Sequence, residues 1–241
     1  MTNTVRLAKR VAEQLACSRA EADQYIEGGW VTVDDVITEL AGARVDEQQR
    51  VSIVAGATLS PAVPVTILLN KPVDRRDEDA LDPAYNLITA ETQSTALVDV
   101  KPFLQRHARN LTLTTRLDLA ASGLLVLSQD FRVVRKLVEE ANRIEHEYAV
   151  DVTGTVIEDG LARLQRDASW NGKPVSSLKI SWQSEQRLRF AVKGAQVGMI
   201  AHFCSQLGLQ VKAIKRIRIG RVSMASLPIG QWRYLRDFER F

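Results

Sequence analysis

The chain has 241 residues, 45% hydrophobic and 25% charged, which fits a globular protein and excludes a disordered or fibrous one. No apolar run approaches the roughly 18–20 residues needed to cross a bilayer, and residues 1–10 lack the apolar centre of a secretory signal, so a cytoplasmic protein is expected. Two cysteines, Cys17 and Cys204, and three histidines, His107, His146 and His202, show no metal-ligand spacing, so both thiols are expected to be reduced core residues.

The net charge of +3 is unevenly spread. Residues 1–60 carry 6 Lys/Arg and 9 Asp/Glu, a net of −3, and residues 61–241 carry 26 and 20, a net of +6. No acid occurs between Glu185 and Asp237, an interval holding ten basic residues: Arg187, Arg189, Lys193, Lys212, Lys215, Arg216, Arg218, Arg221, Arg233 and Arg236. A basic face of this kind favours a polyanion, most simply nucleic acid.

In chain order, residues 5–27 read as two helices. The first has an apolar stripe of Val5, Leu7, Ala8, Val11, Ala12 and Leu15, and the second opens at Ser18 with Glu21 in capping-box spacing and ends at Gly28-Gly29. Residues 30–33, a turn at Asp34-Asp35 and residues 36–37 form a hairpin, and residues 51–54 add a strand. Residues 55–64 read as a linker. Residues 65–72 are a strand entering a proline turn, and residues 73–100 are expected to form a loop with a short helix. The stretch Arg116-Leu117-Asp118 reads as strand, followed by a small-residue turn and a buried run at residues 124–127. On a strand, Arg116 and Asp118 share a face. That pair is either a surface ion pair or a carboxylate placed to act as nucleophile or base. Further on come a helix at residues 131–141, an alternating strand at 147–152, a short helix at 161–166 and paired strands at 175–182 and 188–192. A helix marked by Ile200, Phe203, Cys204 and Leu207 and closed by Gly208 follows, then strands at 211–219, 221–224 and 232–235. Strands in runs, without strict βαβ alternation, predict an α+β protein. It would have a small helical and hairpin domain at 1–54 and, at 65–241, a mixed, mostly antiparallel sheet with flanking helices.

Two resemblances attach to these residues. Arg6-Leu7-Ala8-Lys9-Arg10, Ser18-Arg19-Ala20-Glu21-Ala22 and Ile26-Glu27-Gly28-Gly29-Trp30-Val31-Thr32-Val33 resemble the alpha-L RNA-binding module. The resemblance implies phosphate contacts from Arg6, Lys9, Arg10 and Arg19. Over essentially the whole chain, the sequence resembles the RsuA-like RNA pseudouridine synthases. The matches are Leu69-Asn70-Lys71-Pro72, Arg116-Leu117-Asp118 with Ser122-Gly123-Leu124-Leu125 and Gln129-Asp130, Glu147-Tyr148-Ala149-Val150, Lys215-Arg216-Ile217-Arg218-Ile219-Gly220, and Leu227-Pro228 with Gly230-Gln231-Trp232-Arg233.

That resemblance implies a pseudouridine synthase fold and isomerisation of a flipped-out uridine, in RNA and most simply ribosomal RNA, using no metal and no organic cofactor; a monomer is the default expectation. It implies Asp118 as the essential carboxylate, Tyr148 as the residue stacked on the target base, Arg116 as the holder of the flipped nucleotide, and Lys71 at phosphate or supporting the site loop. Lys215, Arg216 and Arg218 are expected to contact RNA. Three positions depart from the pattern: Thr115 replaces a glycine, His146 replaces a lysine, and Ala201 stands where the helix usually carries the basic residue that faces the aspartate. The last departure leaves open an RNA-binding protein without turnover on the same scaffold, such as a ribosome assembly factor.

Overall fold

A computed structural model describes residues 4–59, 63–73, 84–96 and 101–241. Part of the loop expected at residues 73–100, and residues 60–62 of the expected linker, lie outside them. The chain divides into two compact units, Met1–Val63 with Leu104–Arg109, and Pro64–Phe103 with Asn110–Phe241.

The first unit contains β1 (Val5–Arg6), α1 (Leu7–Leu15), α2 (Arg19–Glu27), β2 (Val31–Val33), β3 (Val36–Ile37), β4 (Arg44–Val45) and β5 (Val51–Ile53). Ser18 and Glu21 form the expected reciprocal capping box. Asp34 and Asp35, at φ of 50° and 66°, make the tight turn between β2 and β3, a geometry that short polar side chains tolerate. Leu7, Val11, Ala22, Ile26, Val31 and Val45 form the core. The stripe expected to begin a helix at Val5 instead starts with a two-residue strand paired to β4.

The second unit is built on a nine-stranded sheet. Its elements are β6 (Thr66–Lys71), β7 (Thr112–Leu113), β8 (Ser122–Ser128), α3 (Phe131–Glu139), β9 (Glu145–Thr153), α4 (Gly160–Asp167), β10 (Ser169–Trp170), β11 (Lys173–Pro174), β12 (Leu178–Ser184), β13 (Arg187–Lys193), α5 (Met199–Gln206), β14 (Gln210–Ile219), β15 (Val222–Ser223) and β16 (Trp232–Tyr234). The strand order is β12-β13-β9-β14-β8-β6-β16, with β7 on β8 and β15 on β14, and β10 and β11 form a separate hairpin. Only β8 and β14 run parallel; the other pairs of this sheet are antiparallel, giving the mixed, mostly antiparallel α+β architecture expected.

Two apolar cores lie on this sheet. One joins Tyr148, Val150, Val152, Leu188 and Phe190 to Ile200, Phe203, Cys204 and Leu207 of α5. The other joins Leu68, Leu124 and Val126 to Leu137 of α3 and to Ile219 and Val222. Gly123 is demanded by the parallel junction. A Cβ there would lie 2.2 Å from the Arg216 carbonyl oxygen, at a φ of +110°; only glycine fits such a backbone approach.

Candidate active site

Residues 116–118 are not strand. After β7 the chain leaves the ladder and crosses as an irregular loop to β8. Two buried cations explain the departure, because they take the carbonyls that a ladder would otherwise satisfy. Arg216, only 1% exposed, donates from Nε to the Leu124 carbonyl at 2.7 Å and from Nη1 to the Arg116 carbonyl at 3.0 Å. Its Nη2 donates to the carbonyl and the hydroxyl of Thr115, both at 3.1 Å. Lys71 donates from Nζ to the carbonyls of Asp118 at 3.4 Å, Leu119 at 3.0 Å and Ala121 at 2.9 Å. Thr115, at the position where the resembling family has glycine, thus supplies two of the acceptors that hold Arg216.

Within the loop the three signature residues have different surroundings. Leu117 packs against the core that holds Tyr148 and α5. Arg116 is exposed, and Asp118 is half-buried. The Asp118 carboxylate accepts a hydrogen bond at 2.7 Å from the backbone N–H of Gly198, at the N-terminus of α5. Gly198 has a φ of +82°, which lets the chain enter the helix there without side-chain strain.

Tyr148 stands opposite Arg216 across the β9–β14 pairing. Burial pushes its phenol above the ordinary value, Arg216 opposes that shift by charge and hydrogen bond, and the nearby Asp118 carboxylate adds to it. The phenol is therefore neutral at physiological pH. His146, two residues earlier on β9, is 4% exposed with no hydrogen bond to Nδ1. Burial, reinforced by the Arg216 charge, lowers its imidazole to about 3. It occupies the position of the family's lysine as a neutral group.

Three of the ten basic residues of the interval, Arg187, Arg189 and Arg218, are paired by β9, which lies between β13 and β14. Arg187 pairs with Asp151 at 2.6 Å, Arg189 pairs with Glu147, and Arg218 pairs with Glu145 at 2.7 Å and Glu147 at 2.6 Å. Glu147 is 2% exposed. Burial tends to raise its pKa, and the two arginines outweigh burial and hold it below the usual carboxylate range. Arg233 pairs with Glu239 at 2.6 Å.

Of the residues expected at RNA, Arg216 is an interior residue and Arg218 is tied to two carboxylates, while Lys71 donates to the loop backbone, the supporting role that was one of the two expected of it. Lys215 is half-buried, and Lys212 and Arg221 are exposed. In the first unit Arg6, Lys9 and Arg19 are exposed, Lys9 standing 3.8 Å from Glu13. Arg10 is half-buried and donates to the Asp46 carbonyl. Sequence reasoning missed Gly198 as the group that holds Asp118; its only sequence signal is a glycine immediately before the apolar helix. Ala201 is exposed and contributes no charge. Among the described residues, no group of three or more His, Cys, Asp or Glu side chains is placed to hold a metal ion.

The fold is that of the pseudouridine synthases: a crystal structure described as a pseudouridylate synthase superposes with a TM-score of 0.59 over 96% of both chains, at 20% identity. No family model matches the chain, but relatives extend the likeness over nearly its whole length. A dual-specificity RNA pseudouridine synthase RluF of Escherichia coli is 28% identical over 98% of this chain and 77% of its own. An uncharacterized RNA pseudouridine synthase of Aquifex aeolicus is 26% identical, covering 98% and 94% of the two chains. A ribosomal small subunit pseudouridine synthase A of Vibrio cholerae is 25% identical, covering 98% and 97%. The resemblance carried by the sequence motifs thus holds across nearly the full chain.

Proposed function

We propose that this protein is an RNA pseudouridine synthase that isomerises a uridine, in ribosomal RNA by analogy with its relatives, and that Asp118 begins the reaction. The observation that carries this reading is the Asp118 carboxylate itself. It is half-buried, held at one oxygen by the Gly198 N–H at 2.7 Å, and set on a loop that Arg216 and Lys71 fix from behind. One carboxylate oxygen oriented by a backbone donor leaves the other for the nucleoside, as nucleophile or as base toward the ribose.

The N1–C1′ bond breaks, the base turns, and a C5–C1′ bond forms. The C5 proton leaves and N1 takes one up, so composition is unchanged and no oxidant or reductant is needed. Tyr148, as a neutral phenol fixed to Arg216, lies against the base. Arg116, exposed beside the nucleophile, holds the flipped nucleotide. The segment 1–54 acts as the alpha-L module, with Arg6, Lys9 and Arg19 on phosphate, 55–64 is a linker, and 65–241 carries catalysis. The protein works as a monomer.

Tritium release from carbon-5-labelled uridine in ribosomal RNA tests this. Wild type is expected to release label and Asp118→Ala to fall to background; equal release from both removes Asp118 from the reaction. A second reading, an RNA-binding protein without turnover, is favoured by the exposed Ala201, which brings no cation to Asp118. RNA binding with no release from wild type would establish it.

A further inference from the structure

Outside the residues already assigned, one aromatic cluster lies against Gly198, the residue that holds the Asp118 carboxylate. A Cβ added to Gly198, whose N–H holds Asp118, would lie 3.3 Å from Cη2 of Trp170. The indole of Trp170 therefore lies beside Gly198, the residue whose N–H holds the Asp118 carboxylate. His202 is one helical turn on, its N–H bonded to the Gly198 carbonyl at 3.0 Å. Its imidazole meets the Trp170 ring edge to face, with centroids 5.3 Å apart at 67°.

We propose that Trp170 and His202 form an aromatic subsite that stacks an unpaired RNA base adjacent to the target uridine. The inference rests on the proposed synthase reading, since it places that base beside Asp118.

Three features support a binding role over simple packing. His202 is exposed and Trp170 only half-buried, whereas Phe203 and Cys204 next to them on α5 are fully buried. Trp170 packs on one side against the core that holds Phe203 and Cys204, while the imidazole of His202 stays outside it. The indole is also held in place: its Nε1–H donates to Gln196 Oε1 at 3.1 Å, so a base meets a platform already ordered. Finally, Trp170 sits on the β10–β11 hairpin directly opposite Lys173, which is exposed. An ammonium beside an aromatic surface is the pairing a nucleotide needs, with the ring taking the base and the cation taking the phosphate. Every base has a π face, so such a subsite accepts single-stranded RNA with little sequence preference.

The test is fluorescence-anisotropy binding of a labelled oligouridylate and of an abasic ribose-phosphate oligomer of equal length. The variants are His202→Ala and His202→Phe, both at an exposed position where folding is expected to persist. His202→Ala should weaken oligouridylate binding roughly 5- to 30-fold, within the range of one base–aromatic stack. It should leave the abasic oligomer unaffected, and His202→Phe should restore the lost affinity. Unchanged oligouridylate binding by His202→Ala, or equal weakening of both oligomers, overturns the proposal. Competition by uridine 5′-monophosphate at the oligomer's own affinity overturns the assignment to RNA in favour of a free nucleotide. None of these measurements requires turnover. A protein that shows the stacking signature but no tritium release therefore keeps a base-stacking site at Trp170 and His202 but loses its assignment beside a target uridine.

Discussion

Arg216→Lys is the substitution that most directly separates an interior role from an RNA contact. Arginine spans its acceptors with a fork: Leu124 O on one side, the Thr115 and Arg116 carbonyls on the other, and the Tyr148 phenol at the same guanidinium. A lysine ammonium is a single point of charge and cannot reach both sides. At least two buried carbonyls then lose their donor, at about 1–3 kcal/mol each. The expected destabilisation is roughly 2–5 kcal/mol. With a urea dependence of about 2–3 kcal/mol per molar, the midpoint of the second unit's unfolding falls by about 1–2 M. Tritium release should fall with it even below the unfolding transition, because the loop carrying Asp118 loses its rear support. The reasoning is refuted if Arg216→Lys unfolds at the wild-type urea concentration while lowering the salt dependence of RNA binding, since that pattern belongs to a phosphate contact on the surface.

Two other outcomes follow from the same site. Gly198→Ala forces a side chain into the left-handed region and sets its Cβ 3.3 Å from Trp170; it should cost about 1–3 kcal/mol and reduce turnover about tenfold or more, measured by thermal unfolding and tritium release, and an unchanged rate would mean the Gly198 N–H is not needed by Asp118. His146 should make the second unit acid-sensitive. Its imidazole, lowered to about 3 in the folded chain, stays neutral where the unfolded chain takes a proton, so stability is complete above about pH 6.5 and is lost as pH falls toward 3, by up to about 1.4 kcal/mol per pH unit from this residue. Urea midpoints at pH 7, 5.5 and 4.5 should show a shallower acid loss in His146→Leu; parallel curves for the two proteins would show that His146 does not set the slope.

What was legible in the sequence was local. The capping box of Ser18 and Glu21, the turn at Asp34-Asp35, the alternation along β9 and the i, i+3, i+4, i+7 stripe of α5 each announce their element within a few residues. The loop that carries Asp118 does not. Arg116-Leu117-Asp118 has the look of a strand because nothing nearby says otherwise. What prevents the ladder is Lys71, 47 residues before Asp118, and Arg216, 100 residues after Arg116. The basic interval misleads for the same reason. Between Glu185 and Asp237 the sequence holds no acid, yet the sheet order inserts β9 beside both β13 and β14, and its Glu145, Glu147 and Asp151 meet Arg187, Arg189 and Arg218 across strands. Charge along a chain reports a surface only when the strands on either side are known.

A helix N-terminus presents about half a positive charge, generally worth 0.3–1 kcal/mol to a carboxylate and up to about 2 in partly buried settings. A guanidinium at about 4 Å, at an effective dielectric of 20, is worth about 4 kcal/mol before desolvation. The Gly198 N–H therefore orients Asp118 well but stabilises its charge less than a side-chain cation would. Ala201 follows Gly198 by three residues, so the two share a face of α5, and its exposure leaves room for a longer side chain. If negative charge at Asp118 limits turnover, Ala201→Arg should speed tritium release, with about 1.4 kcal/mol of added stabilisation amounting to tenfold. A gain matched by an equal rise in RNA affinity would point instead to a phosphate contact by the new arginine. No gain, with RNA affinity unchanged, would show that the backbone donor already suffices and that this site works with a helix terminus where a side-chain cation was expected.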